Sequence, residues 1–302
     1  NCNSTPTTTT IPDFYPFDLS TVEHIVYDGG DNGTNTEHFK IIGGDHVTVT
    51  SIARGNQDPH YVEILPSYMV KVRKADIYFM VGMELDLWAQ QIIDGSRNRN
   101  VLVVDCSVEI NKMEVPTAQI DASMGDIHRF GNPHYWLDPE NGKLIARIVA
   151  QKLISHDSKN ADQYQGNLNQ FEKDLDSAIS IWTKRFSKLK DKDIIFYHNS
   201  WPYFSKRFGL KTVDFLEPKP MITPSPSKLN QIIQRIKSDG VEVIASESYF
   251  SDRAPKFIAS KTKVKIVKLA QSVGAIKGAD SYINLFETNL TILAKAYGVS
   301  YD

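Results

Sequence analysis

Residues 160–189 read NADQYQGNLNQFEKDLDSAISIWTKRFSKL, and this stretch decides the fold. Tyr164, Leu168, Phe171, Leu175, Ala178, Trp182, Phe186 and Leu189 recur three or four residues apart. That spacing puts them on one apolar stripe of a helix, with the polar residues turned to water. At 1.5 Å per residue the helix is roughly 40 Å long, about the width of a small domain. It occurs once, with strand-rich sequence on both sides. A strut between two halves therefore fits better than a long surface helix of the coiled-coil type.

Working outward, short β-branched runs lie at 46–52, 75–81 and 101–105 before the helix, and at 193–197, 241–245 and 264–269 after it. Most precede a loop and an amphipathic stretch, the pattern of parallel sheets covered by helices. Asp138-Pro139-Glu140 is a helix start: an N-cap acid, a proline at the first position, and a second acid in the first turn. That helix is expected to run to about residue 155 and to bury Leu144, Ile145, Ile148, Val149 and Leu153. The expected fold class is α/β with two lobes, each a mainly parallel sheet flanked by helices. The lobes take in residues 13–155 and 190–302, a linking helix takes 156–189, and residues 1–12 form a flexible tether.

Composition narrows the function classes. The chain has 302 residues and a net charge of −2, so it lacks the basic excess of a nucleic-acid binder. No apolar run approaches the roughly 18 residues that cross a bilayer. The two cysteines, Cys2 and Cys106, are too few and too far apart for a CxxC metal site or a disulfide-rich scaffold. Cys2 stands before the polar tract from Asn3 to Thr10, which cannot bury a core. This looks like the lipidated cysteine of a bacterial lipoprotein on its tether, although Asn1 precedes it. The alternative is a disordered tail with an incidental thiol. Cys106 ends an apolar run and is expected to be a buried small residue.

Among eight histidines, two share their surroundings: Asp58-Pro59-His60-Tyr61 and Asn132-Pro133-His134-Tyr135. In each, proline fixes the backbone just ahead of the imidazole. A third, His198, directly follows the strand-like residues 194–197. Strand ends of open α/β sheets are where ligands bind. Three imidazoles arriving there would supply most of a tetrahedral metal site. Their separations match no local metal motif, so the residues alone leave the chemistry open.

The chain resembles the zinc- and manganese-binding solute-binding proteins of ABC importers, a metal-specific family with a rigid helix between two lobes. The resemblance is carried by Ile42-Gly43-Gly44-Asp45 through Asp58-Pro59-His60, by Gly82-Met83-Glu84-Leu85, and by Gly131-Asn132-Pro133-His134-Tyr135-Trp136-Leu137-Asp138-Pro139. In the second half it is carried by Tyr197-His198-Asn199-Ser200-Trp201-Pro202, Leu216-Glu217-Pro218-Lys219-Pro220 and Gly278-Ala279-Asp280-Ser281-Tyr282. These run from about residue 42 to 290 in the family's order, while the region before residue 40 fits poorly.

What the resemblance implies is a metal site in the cleft between the lobes, with His60, His134, His198 and Asp280 as ligands. Three neutral imidazoles and one carboxylate suit Zn2+, and the same set can hold Mn2+. The ion would be the transported ligand. The partner would be an ABC transporter permease in the cytoplasmic membrane. The protein would be a monomer, would bind no nucleic acid and catalyse nothing, and would work in the periplasm or on the cell surface, with Cys2 as a lipid anchor. Alternatives are a Mn2+ receptor of the same type, a zinc-dependent hydrolase, a siderophore or haem receptor, or an adhesin with a structural metal. His128 is expected to be a solvent-facing loop residue, as are His24, His38, His46 and His156 to be ordinary ones. Glu247 is expected to anchor a hydrogen bond behind the ligands, and Trp136, Trp201 and Tyr203 to keep the site dry.

Overall fold

The computed structural model describes residues 25–27, 40–117, 128–217 and 222–301. The tether, Cys2, His24 and His38 lie outside them.

The first half contains β1 (Ile25–Tyr27), α1 (Lys40–Gly43), β2 (Val49–Thr50), α2 (Pro66–Arg73), β3 (Ile77–Met80), α3 (Ala89–Ser96), β4 (Leu102–Asp105) and α4 (Pro139–His156). Its sheet has the order β2-β1-β3-β4. Only β3 and β4 run parallel, because β1 is wedged antiparallel between β2 and β3. The sheet, expected to be mainly parallel, thus carries one antiparallel strand, β1. A three-residue strand in a region without periodicity leaves no pattern to read.

The long helix follows as α5 (Ala161–Arg185), and a single 3-10 turn at Ser187–Leu189 completes the expected stripe. Every stripe residue from Tyr164 to Leu189 is buried. Each such apolar side chain contributes about 2 kcal/mol when removed from water, as an upper estimate. The helix is tied to both halves. Towards α4 it makes the ion pairs Lys143–Asp176 (2.6 Å) and Arg147–Glu172 (2.5 Å). At its far end the Trp182 ring meets that of Phe286 at a tilt, with centroids 5.4 Å apart, and its Nε1 donates to Glu287 (2.8 Å).

The second half contains β5 (Asp193–Phe196), α6 (Pro202–Phe208), β6 (Lys211–Phe215), α7 (Pro226–Asp239), β7 (Val243–Glu247), α8 (Arg253–Ala259), β8 (Lys265–Leu269) and α9 (Tyr282–Tyr297). Its sheet, in the order β6-β5-β7-β8, is parallel throughout. The chain leaves β5 for β6 on one side and returns to β7 on the other. The carboxyl ends of β5 and β7 therefore flank a topological switch point, where a crevice opens in such sheets. β6 lies at the sheet edge with four of its five residues half-buried, and it gave no alternating signal. One apolar core, to which α5 contributes its whole stripe, joins residues of both halves.

Candidate metal centre

The two Asx-Pro-His sequences fold the same way. In the first, Asp58 Oδ1 accepts from the backbone N–H of His60 (3.0 Å) and lies 2.8 Å from His60 Nδ1. In the second, Asn132 Oδ1 accepts from the N–H of His134 (3.1 Å) and lies 2.9 Å from His134 Nδ1. Each side chain closes an Asx turn and clamps the ring two residues on. The proline between fixes φ, so backbone and imidazole are set together. The orientation of the Asn132 amide is fixed independently. Its Nδ2 donates to Glu114 Oε2 (3.0 Å) and to the carbonyl of Asn199 (2.8 Å), which leaves Oδ1 for the histidine.

His198 uses a different anchor. It leaves the carboxyl end of β5, and its Nδ1 meets Glu217 Oε2 at 2.6 Å, just beyond the end of β6. In all three histidines Nδ1 donates to an oxygen, so Nε2 carries the free lone pair. The rings converge, with centroids 5.2 Å apart for His60 and His134, 5.4 Å for His60 and His198, and 5.7 Å for His134 and His198. One donor atom from each ring lies within 4.8 Å of the other two. Nε2 of His134 is buried without a hydrogen-bond partner. An orphaned polar atom of this kind costs about 1–3 kcal/mol and is tolerated where a ligand satisfies it.

The electrostatics differ from ring to ring. Burial, reinforced by the neighbouring imidazoles, holds His134 well below the ordinary histidine value. Burial also opposes charge on His198, but the hydrogen bond to Glu217 and the charge of Glu247 outweigh it and raise the ring. Burial works to raise Asp58, yet its bond and attraction to His60 leave it lowered. Neutral imidazoles backed by acceptors are good donors to a borderline metal ion.

Asp280 is not brought into this cluster. It is exposed just before Ser281, the N-cap of α9, and its Oδ1 accepts from Asn284 Nδ2 at 2.7 Å. His128, expected in solvent, is instead at the site, with Nε2 3.3 Å from His60 Nε2. Glu247 ends β7 fully buried and accepts from Trp201 Nε1 (2.9 Å), behind His198 as expected. Trp136, Trp201 and Tyr203 are all buried, and the Trp136 ring lies 5.3 Å from that of His134. His46 and His156 lie elsewhere, beside Tyr164 and Asp76 respectively.

The seam between the halves is densely bonded. Tyr203 accepts from the N–H of Met113 and donates to the carbonyl of Asn132, both at 3.0 Å. Trp136 Nε1 donates to the carbonyl of Gln271 (2.9 Å), and the Tyr282 hydroxyl donates to the carbonyl of Trp136 (2.6 Å). Gly55 brings backbone against backbone, since a Cβ there would stand 1.8 Å from the Val273 oxygen.

Residues 36–296 match the family model described as zinc-uptake complex component A, periplasmic. The chain belongs to that family. It is 26% identical over 268 residues to the manganese ABC transporter substrate-binding lipoprotein PsaA of Streptococcus pneumoniae serotype 4, covering 85% of this chain and 84% of that one. It is 27% identical to the metal ABC transporter substrate-binding lipoprotein FimA of Streptococcus parasanguinis, with the same coverage. A crystal structure of ZnuA superposes with a TM-score of 0.72 at 26% identity, over 84% of this chain and 92% of its own. The protein is thus a substrate-binding component of a metal ABC importer. It works outside the cytoplasm with a membrane permease as partner and is not an enzyme.

Proposed function

We propose that the cargo is a single Zn2+ ion, held between the lobes by Nε2 of His60, His134 and His198. The observation that carries this reading is the convergence of three imidazole donors within 4.8 Å of one another. An all-nitrogen triad favours zinc over manganese, which prefers more oxygen donors. Four protein ligands would leave no position open for a catalytic water, in keeping with a receptor. The resemblance names Asp280 as the fourth ligand; to serve, it would have to give up Asn284 and turn inward.

The test is a competition titration of chelator-stripped protein with zinc and manganese, run beside His134→Ala. One zinc per chain at nanomolar affinity, roughly 12 kcal/mol, and its loss in the variant are the expected results. Failure of the parent to take up either ion would sink the proposal. A manganese receptor is the second reading, favoured by the relative named for manganese. It predicts manganese binding at least as tight as zinc. We also propose that the protein acts as a monomer and that a lipid on Cys2 anchors it, the anchor being supported by two relatives named lipoproteins. Sedimentation and detergent partitioning of the cell-derived protein test those two points.

A further inference from the structure

The four strands of the second sheet run parallel, so their first residues share one edge, while His198 follows the opposite end of β5. Lys190 and Lys192 lead into β5, Lys211 starts β6, and Lys261 and Lys263 lead into β8. Backbone bonds draw these segments together. The N–H of Lys211 donates to the carbonyl of Lys192 (2.9 Å), and that of Lys265 to the carbonyl of Glu242 (2.8 Å). Residues 187–193, 209–211, 237–243 and 260–265 together carry eight lysines against four acids, in a chain whose net charge is −2. Helices α6 to α9 end at this edge, and their dipoles answer about two of those charges. A positive excess remains.

Part of the excess has no partner. Lys211 pairs with Asp191 (3.1 Å) and Lys192 with Glu242 (3.7 Å). Lys190, Lys237, Lys261 and Lys263 are exposed and form no ion pair or side-chain hydrogen bond among the described residues. Three of the four, all but Lys190, rim one open hollow of about 620 Å³ that Ile236, Val241 and Val264 also line. Phe257, one helical turn before Lys261, is 44% exposed. Basic side chains beside an exposed aromatic ring and an apolar-walled hollow suit a surface that rests on anionic lipid. A dissolved polyanion is met by charge alone. As the extracytoplasmic component of a membrane importer, the chain also works beside a bilayer.

We infer that this lysine edge is a seat for anionic phospholipid headgroups, on which the receptor rests with its metal cleft turned away from the bilayer. Six residues separate Lys192 from His198. At about 3.3 Å per strand residue that is roughly 20 Å, so headgroups at the edge leave the histidines untouched. The seat does not depend on which ion is the cargo. Salt screens exposed charges beyond about 8–10 Å. The attraction is therefore weak and reversible, and the receptor can leave the seat to meet its permease.

The experiment measures flotation of the metal-free full chain with vesicles, at low and at physiological salt. The vesicles are phosphatidylglycerol and phosphatidylcholine in equal parts, or phosphatidylcholine alone. The edge triple variant is Lys190→Glu, Lys261→Glu and Lys263→Glu, and a single variant is Phe257→Ala. A control triple, Lys74→Glu, Lys159→Glu and Lys173→Glu, reverses the same charge at exposed positions outside the edge. Circular dichroism and thermal melting check that each variant is folded. The parent should bind the anionic vesicles at low salt, ignore the neutral ones, and be released as salt rises. The edge triple should lose about a hundredfold or more in vesicle affinity, and the control triple about tenfold less than that. Phe257→Ala should bind severalfold more weakly than the parent. Equal losses in the two triples, or a parent without preference for anionic vesicles, would overturn the inference. So would a parent that bound dissolved heparin but no vesicle, which would make the edge a polyanion site.

Discussion

Arg207 and Asp138 form a two-pronged ion pair across the seam between the halves, Nε to Oδ1 at 2.7 Å and Nη2 to Oδ2 at 3.0 Å. Asp138 is at the same time the N-cap of α4, accepting from the N–H of Glu140 at 3.0 Å. One carboxylate thus starts a helix in the first half and holds α6 of the second.

The two duties are separable. Asp138→Ala loses the cap and leaves a partly buried guanidinium unpaired, and is expected to cost about 2 kcal/mol or more. Asp138→Asn keeps a capping oxygen and loses only the charge, so it should cost about half as much. Urea unfolding of the two variants reads the difference. Equal losses would show that one of the two duties is idle.

Glu217 sets the basicity of His198. Replacing it by Gln keeps the shape, removes the charge, and should weaken zinc binding by roughly 10- to 100-fold at neutral pH. Because Glu217 helps to hold the His198 pKa up, its loss lowers that pKa. Protons then compete for the ring only at lower pH, so the variant's zinc affinity, though weaker, should fall less steeply than the parent's as pH drops. A pH dependence as steep as the parent's, measured by competition titration from pH 8 to 5, would contradict the assigned hydrogen bond.

His128 titrates in the unfolded chain near the ordinary value of about 6.5 but in the folded one only at about 3. Its folded-state pKa is depressed, so its neutral form supports the fold above about 6.5. That support drains away as pH falls towards 3. In metal-free protein, His128→Gln should therefore gain stability relative to the parent as pH drops from 6.5 to 4. Paired denaturant curves at several pH values measure the gap, and a gap that stays constant would mean that the ring is solvated.

Gly55, five residues before His60, packs directly against the backbone at Val273. A methyl group there has no flexible side chain to displace, only a carbonyl. Gly55→Ala should cost about 1–3 kcal/mol and weaken zinc binding about tenfold, because His60 is pushed away from His198. Calorimetric titration alongside melting checks both effects.

Much of this was legible in the sequence. The α5 stripe announced itself because a long helix repeats its period many times, and all of its apolar positions are buried. The paired Asx-Pro-His sequences marked two ring positions because their hydrogen bonds span only two residues. What did not show depends on distant partners. Glu217 reaches His198 from a neighbouring strand end, and His128 meets a ring 68 residues away. β1 and β6 were missed because one is only three residues long and the other is a half-buried edge. Asp280 was named by family position alone, and its place in the chain carried no information about which way a residue before a helix cap would face.

Asp58 and Glu217 each turn an oxygen to the far side of an imidazole. Their negative charge reaches the centre only through a ring, so the oxygens are withheld and the nitrogens offered. Outside a cell, magnesium and calcium vastly outnumber transition ions, and both demand oxygen in their inner shell. A cleft lined with bare carboxylates would be silted up by them. Holding the acids one ring back keeps the vestibule clear of the commonest traffic and leaves it for the scarce ion.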